Sequence, residues 1–230
     1  MSNQIIWHGH ANFEIITPRL NILIDPWFEG NPAAKITSKD LTKVDLVLVT
    51  HDHDDHLGQA VKICQQFKAK LGAIVELACS LKKQGLESEQ ILNQIGFNVG
   101  GKIVWEGVKI TMVQAFHSCH LGSPVGFILE LENGYTIYHA GDTGIFGSMQ
   151  TLGELFTIDL ALLPVGGVFT MDGQQAAYAC SLLKCKQVWP MHWGTFPVLA
   201  QNLDEFKFYL NKYAPQTSII CAQAEENVSL

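Results

Sequence analysis

Hydrophobic and polar positions along this chain switch repeatedly between the period of a strand and the period of a helix. Short β-rich runs at 5–7, 13–16 and 22–24 open the sequence, and a continuous apolar run follows at 46–49. Such a run is typical of a strand that is buried on both faces. Apolar residues then recur at helical spacing over 57–67. The pattern therefore predicts a strand, a tight loop and a helix in this stretch.

The remainder of the chain repeats the alternation. Further strands are predicted at 103–105, 108–115, 127–131, 136–138, 160–163 and 188–191. Helices are predicted near 77–84, 88–93, 174–183 and 203–213. Core-facing positions of the last two helices are predicted at Tyr178, Cys180, Leu183, Leu203, Phe206 and Leu210. Since no linker-like stretch interrupts the series, we expect one domain over 1–230, made of two sheet-and-helix halves that meet near 123–124.

The composition indicates a globular protein without a broad affinity for nucleic acid. Of 230 residues, 47% are hydrophobic and 16% are charged, a balance that excludes extended disorder. Fifteen Lys+Arg residues, among them a single arginine, Arg19, stand against 22 Asp+Glu residues, and the net charge is -7. This acidic balance argues against nucleic acid as a partner and favours a small-molecule substrate.

Cysteine usage and the N-terminal segment indicate the compartment. The six cysteines show no C-x-x-C spacing, which favours free thiols in a reducing environment. The first ten residues lack the features of a signal peptide, and no apolar run approaches the roughly 18 residues of a spanning helix. We therefore expect a cytoplasmic protein with no membrane partner. Assembly into a homo-oligomer is left open.

Titratable side chains are densest directly after the strand predicted at 46–49. Three histidines and three aspartates fill 51–56. Crowded carboxylates repel one another, and imidazole nitrogens and carboxylate oxygens are ligands for zinc, iron, manganese or nickel, so a bound cation resolves the conflict. The alternative is a solvated polar turn. A helix N-terminus, however, needs one capping carboxylate such as Asp55 and not three histidines.

The pattern His51-x-His53-x-Asp55-His56 resembles the signature of the metallo-β-lactamase superfamily. Segments 116–118, 139–143 and 190–192 each follow a predicted strand in the order that the family shows. The resemblance covers nearly the whole chain. It implies an α/β fold of the αββα sandwich type, in which two β-sheets pack face to face with helices on the outside.

Within that superfamily, the chain is most similar to compact bacterial metal-dependent hydrolases related to the L-ascorbate-6-phosphate lactonases. The segments that carry this likeness are 9–10, 23–26, 138–144, 163–167, 169–171 and 192–197.

The resemblance also implies a set of metal ligands and a binuclear site. One divalent ion would be held by His51, His53 and His117. A second ion would be held by Asp55, His56 and His192, and Asp142 would bridge the two. The identity of the metal stays open among Zn, Mn, Fe and Ni.

Several polar residues are candidates for supporting roles. Asp55, Asp142 and His139 are expected to be catalytic. His10 and His139 could each contact the second ring nitrogen of a metal-ligating histidine, or contact the substrate. The alternative is that both are core histidines whose hydrogen bonds are made within the protein. Asp25 either orients a ligand or forms an Asp-Pro turn. His8 is taken as structural.

Loop residues near these motifs are candidates for substrate contacts. His120 either lines the pocket, faces solvent or substitutes as a ligand, and Cys119 is either a soft ligand or a partly buried thiol. Amides at Gly166 and Gly167 either approach a substrate oxyanion or simply form a turn. Phe169 with Thr170 would form a wall of the site, and Thr195 is a further substrate-contact candidate. Gln223-Ala224-Glu225 replaces the glycine-containing turn expected there.

These residues predict a metal-dependent hydrolase in which a binuclear site activates hydroxide for attack on a small ester, lactone or phosphodiester. One alternative is an iron-dependent redox enzyme on the same scaffold. Another is a non-catalytic metal-binding protein. The excess of acidic residues and the lack of a basic insertion that could bind phosphates argue against RNA as the substrate.

Overall fold

The computed structural model describes residues 3–230, which fall into two compact units. The first unit contains the described residues up to Ile103, together with Ser118–Pro124 and Ala222–Leu230. The second unit contains Val104–His117 and Val125–Cys221. The chain therefore passes between units next to the predicted boundary at 123–124. The expectation of a single domain stays a prediction.

A mixed six-stranded sheet forms the centre of the first unit. Its strands are β1 (Gln4–Trp7), β2 (Phe13–Ile16), β3 (Asn21–Ile24), β4 (Leu46–Leu48), β5 (Lys70–Gly72) and β13 (Asn227–Ser229), in the order β13-β1-β2-β3-β4-β5. β1, β2 and β3 form an antiparallel meander, whereas β3, β4 and β5 run parallel. β4 is buried along its whole length, as its continuous apolar run predicts.

Helices of the first unit follow the strands that they pack against. They are α1 (Asp54–Leu57), α2 (Ala60–Phe67) and α3 (Val75–Lys83), with 3₁₀ turns at Ser38–Asp40, Ser88–Gln90 and Leu92–Gln94. α1 and α2 are separate because Gly58 adopts a positive φ of 44° between them. The helix predicted at 88–93 is wrong: Asn93 has a φ of 56°, which no helix accommodates, so only 3₁₀ turns form.

A mixed seven-stranded sheet forms the centre of the second unit. Its strands are β6 (Lys102–Trp105), which begins at the unit boundary, β7 (Val108–Gln114), β8 (Val125–Glu130), β9 (Thr136–His139), β10 (Leu160–Pro164), β11 (Gln187–Met191) and β12 (Ser218–Ile219). The order is β12-β11-β10-β9-β8-β7-β6. β7, β8 and β9 are antiparallel, and β9 to β12 are parallel.

The helices of the second unit are α4 (Met149–Leu155), α5 (Gly173–Leu183) and α6 (Asp204–Tyr213). α5 begins at a capping aspartate, Asp172, whose side chain accepts the N–H of Gln175 at 2.8 Å. The core positions predicted on α6 are confirmed, as are Cys180 and Leu183 on α5. Tyr178 was expected in the core and is 47% exposed. Residues two apart on a helix lie about 200° apart around its axis, so Tyr178 and Cys180 face opposite sides.

Two mixed sheets with associated helices make up the fold class that the sequence predicts. α4, β5, β12 and β13 were not predicted, since each is short and without a clear hydrophobic period. No helix within 3–230 has both the length and the apolar character to cross a membrane.

Candidate metal centre

Strand direction collects the polar residues of the first unit at one edge of its sheet. β1, β3 and β4 run in the same direction, so their carboxyl ends share an edge. His10 follows β1, Asp25 follows β3, and the histidines of 51–56 follow β4. Loops at the carboxyl ends of parallel strands are the usual place for a site.

A fully buried carboxylate, that of Asp25, connects two of the predicted ligands. Its Oδ2 atom lies 2.7 Å from Nδ1 of His56 and accepts the hydroxyl of Thr50 at 2.7 Å. Its Oδ1 atom accepts the N–H of Thr50 at 2.8 Å. Since the carboxylate only accepts, we assign the proton of His56 to Nδ1, which leaves the Nε2 lone pair for a metal. Asp25 therefore does more than form an Asp-Pro turn, because its carboxylate also contacts a predicted ligand.

Thr50 connects the carboxylate of Asp25 to the ring of His51 and so fixes the tautomer of His51. The Thr50 hydroxyl proton goes to Asp25, so the hydroxyl oxygen accepts from Nδ1 of His51 at 3.0 Å. Nε2 of His51 then carries the lone pair and lies 3.0 Å from Nδ1 of His53. The rings of His51 and His56 are 4.2 Å apart between centroids. Two predicted ligands thus share one buried carboxylate.

His10, Asp55 and His56 bring three ligand atoms together within 4.8 Å of one another. Nε2 of His10 lies 3.2 Å from a carboxylate oxygen of Asp55, and the ring of His10 meets Trp27 edge-on. His10 and His56 are fully buried. The structure therefore brings His10, which was predicted as a substrate contact, beside two predicted ligands.

The segment that carries Cys119 and His120 is attached to this cluster by Asp52. The Asp52 carboxylate accepts the N–H of His120 at 2.8 Å. The His120 side chain is 80% exposed and its ring lies 5.9 Å from that of His53, which agrees with a solvent-facing loop residue. Burial and, to a lesser extent, the Asp52 carboxylate raise the pKa of the Cys119 thiol, which agrees with its interpretation as a partly buried thiol. Its interpretation as a soft ligand stays a prediction.

His8 occupies a separate buried cluster that ties down the C-terminal strand. Nδ1 lies 2.8 Å from Glu225 and Nε2 lies 3.3 Å from Glu14. Burial alone would lower the pKa of His8, but the two carboxylates outweigh it and raise the pKa. Glu225 has a φ of 69°, so it takes the left-handed position where a glycine was expected, and its side chain holds His8. The structural role predicted for His8 agrees with this arrangement.

The second unit arranges its polar residues by the same principle. β7, β9, β10 and β11 share one direction, so their carboxyl ends lie on one edge. His117 follows β7, Asp142 follows β9, and His192 follows β11. The Asp142 carboxylate lies 3.5 Å from Nε2 of His117 and 3.1 Å from Nε2 of His192. A carboxylate between two imidazoles is the arrangement that the predicted bridging role requires.

His139 is fully buried at the end of β9, and its Nδ1 atom accepts the N–H of Gly141 at 3.1 Å. This bond shapes the turn that presents Asp142. The catalytic role predicted for His139 stays a prediction, and its observed contact is one that positions a neighbour.

The loop after β10 corrects one expectation. The Gly167 N–H donates to the carbonyl of Met171 at 3.0 Å, so this amide is not available to a substrate oxyanion. A Cβ at Gly166 would collide with the carbonyl oxygen of His192. The absence of a side chain at Gly166 therefore allows the backbone of His192 to pack closely against this loop. Phe169 is 54% exposed and Thr195 is 8% exposed. Their substrate contacts stay predictions.

Three buried site residues hold the left-handed backbone conformation that favours glycine. The φ angles are 56° for His10, 48° for Asp25 and 57° for His192. Each costs about 1–3 kcal/mol, and such strain concentrates at functional sites.

The donor atoms of both units suit a divalent cation. Within the first unit, ligand atoms of His10, Asp55 and His56 lie within 4.8 Å of one another, and Asp25 with Thr50 fixes the tautomers of His51 and His56. Within the second unit, Asp142 lies 3.1–3.5 Å from two imidazole nitrogens. Zinc, manganese, iron and nickel accept such donors. The residues present therefore fit a metal centre.

Thr50, Asp52 and Thr143 contribute contacts that the sequence did not single out. Thr143 is fully buried, and its hydroxyl accepts the N–H of Phe116 at 2.9 Å. Thr50 and Thr143 each adjoin a predicted ligand, which is the only signal that pointed to them.

Comparison with known proteins agrees with this chemistry. A family model described as a β-lactamase superfamily domain matches residues 4–192. The chain is 52% identical over 230 residues to a UPF0173 metal-dependent hydrolase of Nitratidesulfovibrio vulgaris (strain DP4), covering 100% of this chain and 96% of the relative. It is 50% identical to a UPF0173 metal-dependent hydrolase of Lawsonia intracellularis over 100% of both chains. Among solved structures, Igni18, a metallo hydrolase of Ignicoccus hospitalis, superimposes with a TM-score of 0.91 at 36% identity, covering 100% of this chain and 99% of that one.

Proposed function

Because this chain belongs to the β-lactamase superfamily and is a metal-dependent hydrolase, we propose that it uses two divalent ions to hydrolyse a small ester, lactone or phosphodiester. The observation that carries the proposal is the shared use of Asp25 by His51 and His56. A buried carboxylate that fixes the tautomers of two imidazoles is typical of a metal centre.

The proposed ligands are those that the family resemblance implies. His51, His53, Asp55 and His56 come from the first unit, and His117, Asp142 and His192 come from the second. Bound divalent ions supply hydroxide at neutral pH and polarise the carbonyl or phosphoryl oxygen of the substrate.

The residues of the chain itself hold and orient the donors. Asp25 keeps Nδ1 of His56 protonated so that Nε2 faces inward, and Thr50 does the same for His51. His139 holds the turn before Asp142 through the Gly141 amide. His10 contacts Asp55 at 3.2 Å and is placed to orient that carboxylate. The catalytic roles of Asp55, Asp142 and His139 are part of the proposal.

The composition of the chain bears on the charge of the substrate. A single arginine gives no guanidinium cluster for a phosphate, so an anionic substrate would depend on the metals and on exposed lysines such as Lys35 and Lys39. The likeness to the L-ascorbate-6-phosphate lactonases stays a prediction. We also propose a cytoplasmic location, which the six free cysteine thiols support.

The test combines metal analysis with turnover. Freshly purified protein should carry two divalent ions per chain and should hydrolyse members of a panel of aryl esters, lactones and phosphodiesters. Asp142→Ala should lose bound metal and lower kcat at least 100-fold, because its carboxylate lies between two of the ligand imidazoles. Asp204→Ala, which changes an exposed aspartate in the first turn of α6, is the matched control. Full turnover by Asp142→Ala after loss of metal would refute the proposal.

A further inference from the structure

Large apolar side chains stand exposed on the loops of the second unit that follow β7, β10 and β11. Their exposed fractions are 60% for Phe116, 70% for Val168, 54% for Phe169 and 53% for Val198. We call these four residues the apolar rim. Exposed apolar groups clustered beside polar functional groups commonly mark a binding surface.

The rim adjoins the ligands of the same unit in sequence. Phe116 directly precedes His117, and Val198 lies in the loop that begins at His192. Val168 and Phe169 follow Gly166, which packs against the backbone of His192. The rim residues therefore lie on the loops that carry the ligands of this unit, or on the loop that packs against His192.

Hydrogen bonds join the loops into one surface. Thr143 accepts the N–H of Phe116 through its hydroxyl and the N–H of Met171 through its carbonyl, each at 2.9 Å. The carbonyl of Gly166 accepts the N–H of Ala200 at 2.9 Å. Phe116 is further supported by the ring of Phe146, 5.3 Å away between centroids. The rim therefore has a defined position with respect to Asp142 and its neighbours.

The apolar character of the rim is not required by the backbone. Val168 has a φ of 56°, a conformation that glycine or asparagine adopts far more easily than a β-branched residue. Phe169 forms the tip of the same tight turn, with its N–H 2.6 Å from the carbonyl of Gly167. A polar residue would serve this turn better, so the exposed apolar side chains need another reason.

The loops also lack the cations that an anionic substrate needs. Segments 115–117, 140–148, 165–172 and 192–203 contain no lysine and no arginine. A phosphate or carboxylate beside the rim would lose water without gaining a lysine or arginine partner from these loops, and only the proposed metal ions would offset that loss. A neutral apolar group would instead gain from burial against it.

We propose that the apolar rim binds the apolar arm of a neutral substrate, an ester or lactone that carries an aliphatic or aromatic group, and thereby sets specificity. This inference rests on the proposed function and narrows it away from phosphorylated compounds and phosphodiesters.

Turnover of a chain-length series tests the inference. The metal-loaded full chain is assayed with p-nitrophenyl acetate, butanoate and hexanoate, and with bis(p-nitrophenyl) phosphate as the anionic comparison. We expect kcat/KM to rise at least tenfold from acetate to hexanoate. Phe169→Ser and Val198→Ser should each reduce this hexanoate-to-acetate ratio at least fivefold.

Phe208→Ser is the matched control, because Phe208 is 67% exposed in the same unit but lies on α6, outside the loops that carry the rim. It should leave the ratio unchanged. Metal content and circular dichroism are compared for every variant.

A binding series separates the inference from the proposed function. Acetohydroxamate and hexanohydroxamate bind metals without needing hydrolysis. Calorimetry measures the Kd of each, and the ratio of the acetohydroxamate Kd to the hexanohydroxamate Kd should be at least tenfold larger for wild type than for Phe169→Ser. If the hydroxamate gradient is present but no ester or lactone is hydrolysed, the proposed function fails, whereas the binding of an apolar group by the rim is supported. If esters are hydrolysed but the hydroxamate gradient is absent, the proposed function stands and the rim inference fails.

Other outcomes overturn the inference. Acetate turnover without any chain-length preference leaves the hydrolase function intact but removes the rim's role. Preference for the phosphodiester over hexanoate, or an equal effect of Phe208→Ser, does the same. The inference also fails if light scattering shows a wild-type dimer that Phe169→Ser dissociates while the hexanoate-to-acetate ratio of kcat/KM is unchanged. In that case a second copy of the chain, and not a substrate, would cover the rim.

Discussion

One buried carboxylate at the end of β3 orders two histidines of the candidate centre. Asp25 accepts two hydrogen bonds from Thr50 and one from His56, and Thr50 in turn fixes His51. A fully buried aspartate with three donors has little freedom to rearrange. In the proposed function, Asp25 keeps the Nε2 lone pairs of His51 and His56 available to a metal ion.

Asp25→Asn tests this arrangement. In asparagine an NH2 donor replaces one of the two accepting oxygens, so it faces either the N–H of Thr50 or the Thr50 hydroxyl together with Nδ1 of His56, all of which are donors here. Metal affinity, measured by competition with a chelator, is expected to fall about 10–100-fold while the fold is retained. Asp45→Asn is the control, because Asp45 also accepts a backbone N–H, that of Asn21 at 2.8 Å, but has no contact with a candidate ligand. Equal affinities for Asp25→Asn and wild type would contradict the role.

The His8 cluster predicts a pH dependence of stability. Glu14 and Glu225 raise the pKa of His8 above its ordinary value of 6.5. The protonated form is therefore favoured by folding, so its stabilisation is complete below about pH 6.5 and is lost as the pH rises through the folded-state pKa.

His8→Gln should cost about 2 kcal/mol of unfolding free energy at low pH, since charged hydrogen bonds are lost. Urea denaturation of the wild type and the variant, run side by side from about pH 6 to pH 9, should show the difference between them narrowing as the pH rises. A difference that widens with pH would show that His8 is buried in its neutral form.

At the scale of elements, strand direction decides which polar residues meet. In the first unit β1, β3 and β4 end at one edge, and in the second unit β7, β9, β10 and β11 do so. The loops that follow neighbouring parallel strands lie side by side at the same edge of the sheet. They can hold their ligand residues there only if their backbones pack without steric overlap. Gly166 provides that clearance between the ends of β10 and β11.

Gly166→Ala is expected to displace the backbone of His192. The added Cβ would overlap the His192 carbonyl oxygen, and relief of such overpacking costs about 2 kcal/mol. The free energy of unfolding and the metal affinity should therefore both fall, as measured by denaturation and by chelator competition. At Gly147 a Cβ meets nothing within 4 Å, so Gly147→Ala should stay within about 0.5 kcal/mol of wild type. Similar losses in both variants would mean that the contact with His192 is unimportant.

At the scale of the whole molecule, stability and the proposed metal binding are coupled. The described chain buries imidazole and carboxylate groups, among them His51, His56, Asp142 and His192, and a bound cation would compensate for the water that they lose on folding. A ligand that binds the folded state alone adds about 2.7 kcal/mol when present at 100 times its Kd.

Removal of metal should therefore lower the melting temperature. For a chain of this length, about 2.7 kcal/mol corresponds to roughly 5–10 °C. Calorimetry of the protein before and after chelation, followed by restoration with zinc or manganese, measures the shift. Asp142→Ala should show a smaller shift on chelation. Identical melting curves with and without chelator would contradict the coupling.

Much of the fold was predictable because hydrophobic period is a local property. The continuous apolar run predicts β4, and the apolar spacing predicts the buried positions 206 and 210 of α6 and position 203 at its N-cap. Tyr178 lies outside the core because it is about 200° away from Cys180 around the helix axis, so the two side chains cannot both face the sheet. β5 and β12 were missed because two or three residues form a strand only when a neighbouring strand accepts their hydrogen bonds.

The sequence by itself determined the chemistry of this protein. The density of histidine and aspartate at 51–56, and their place after an apolar strand, are properties of the chain that need no coordinates. Only the tertiary structure decided how these groups are used. The contacts of His56 with Asp25, of His8 with Glu225 and of Gly166 with His192 join positions 31, 217 and 26 residues apart. Hydrogen bonding and close packing act through space, so no local pattern in the sequence records them.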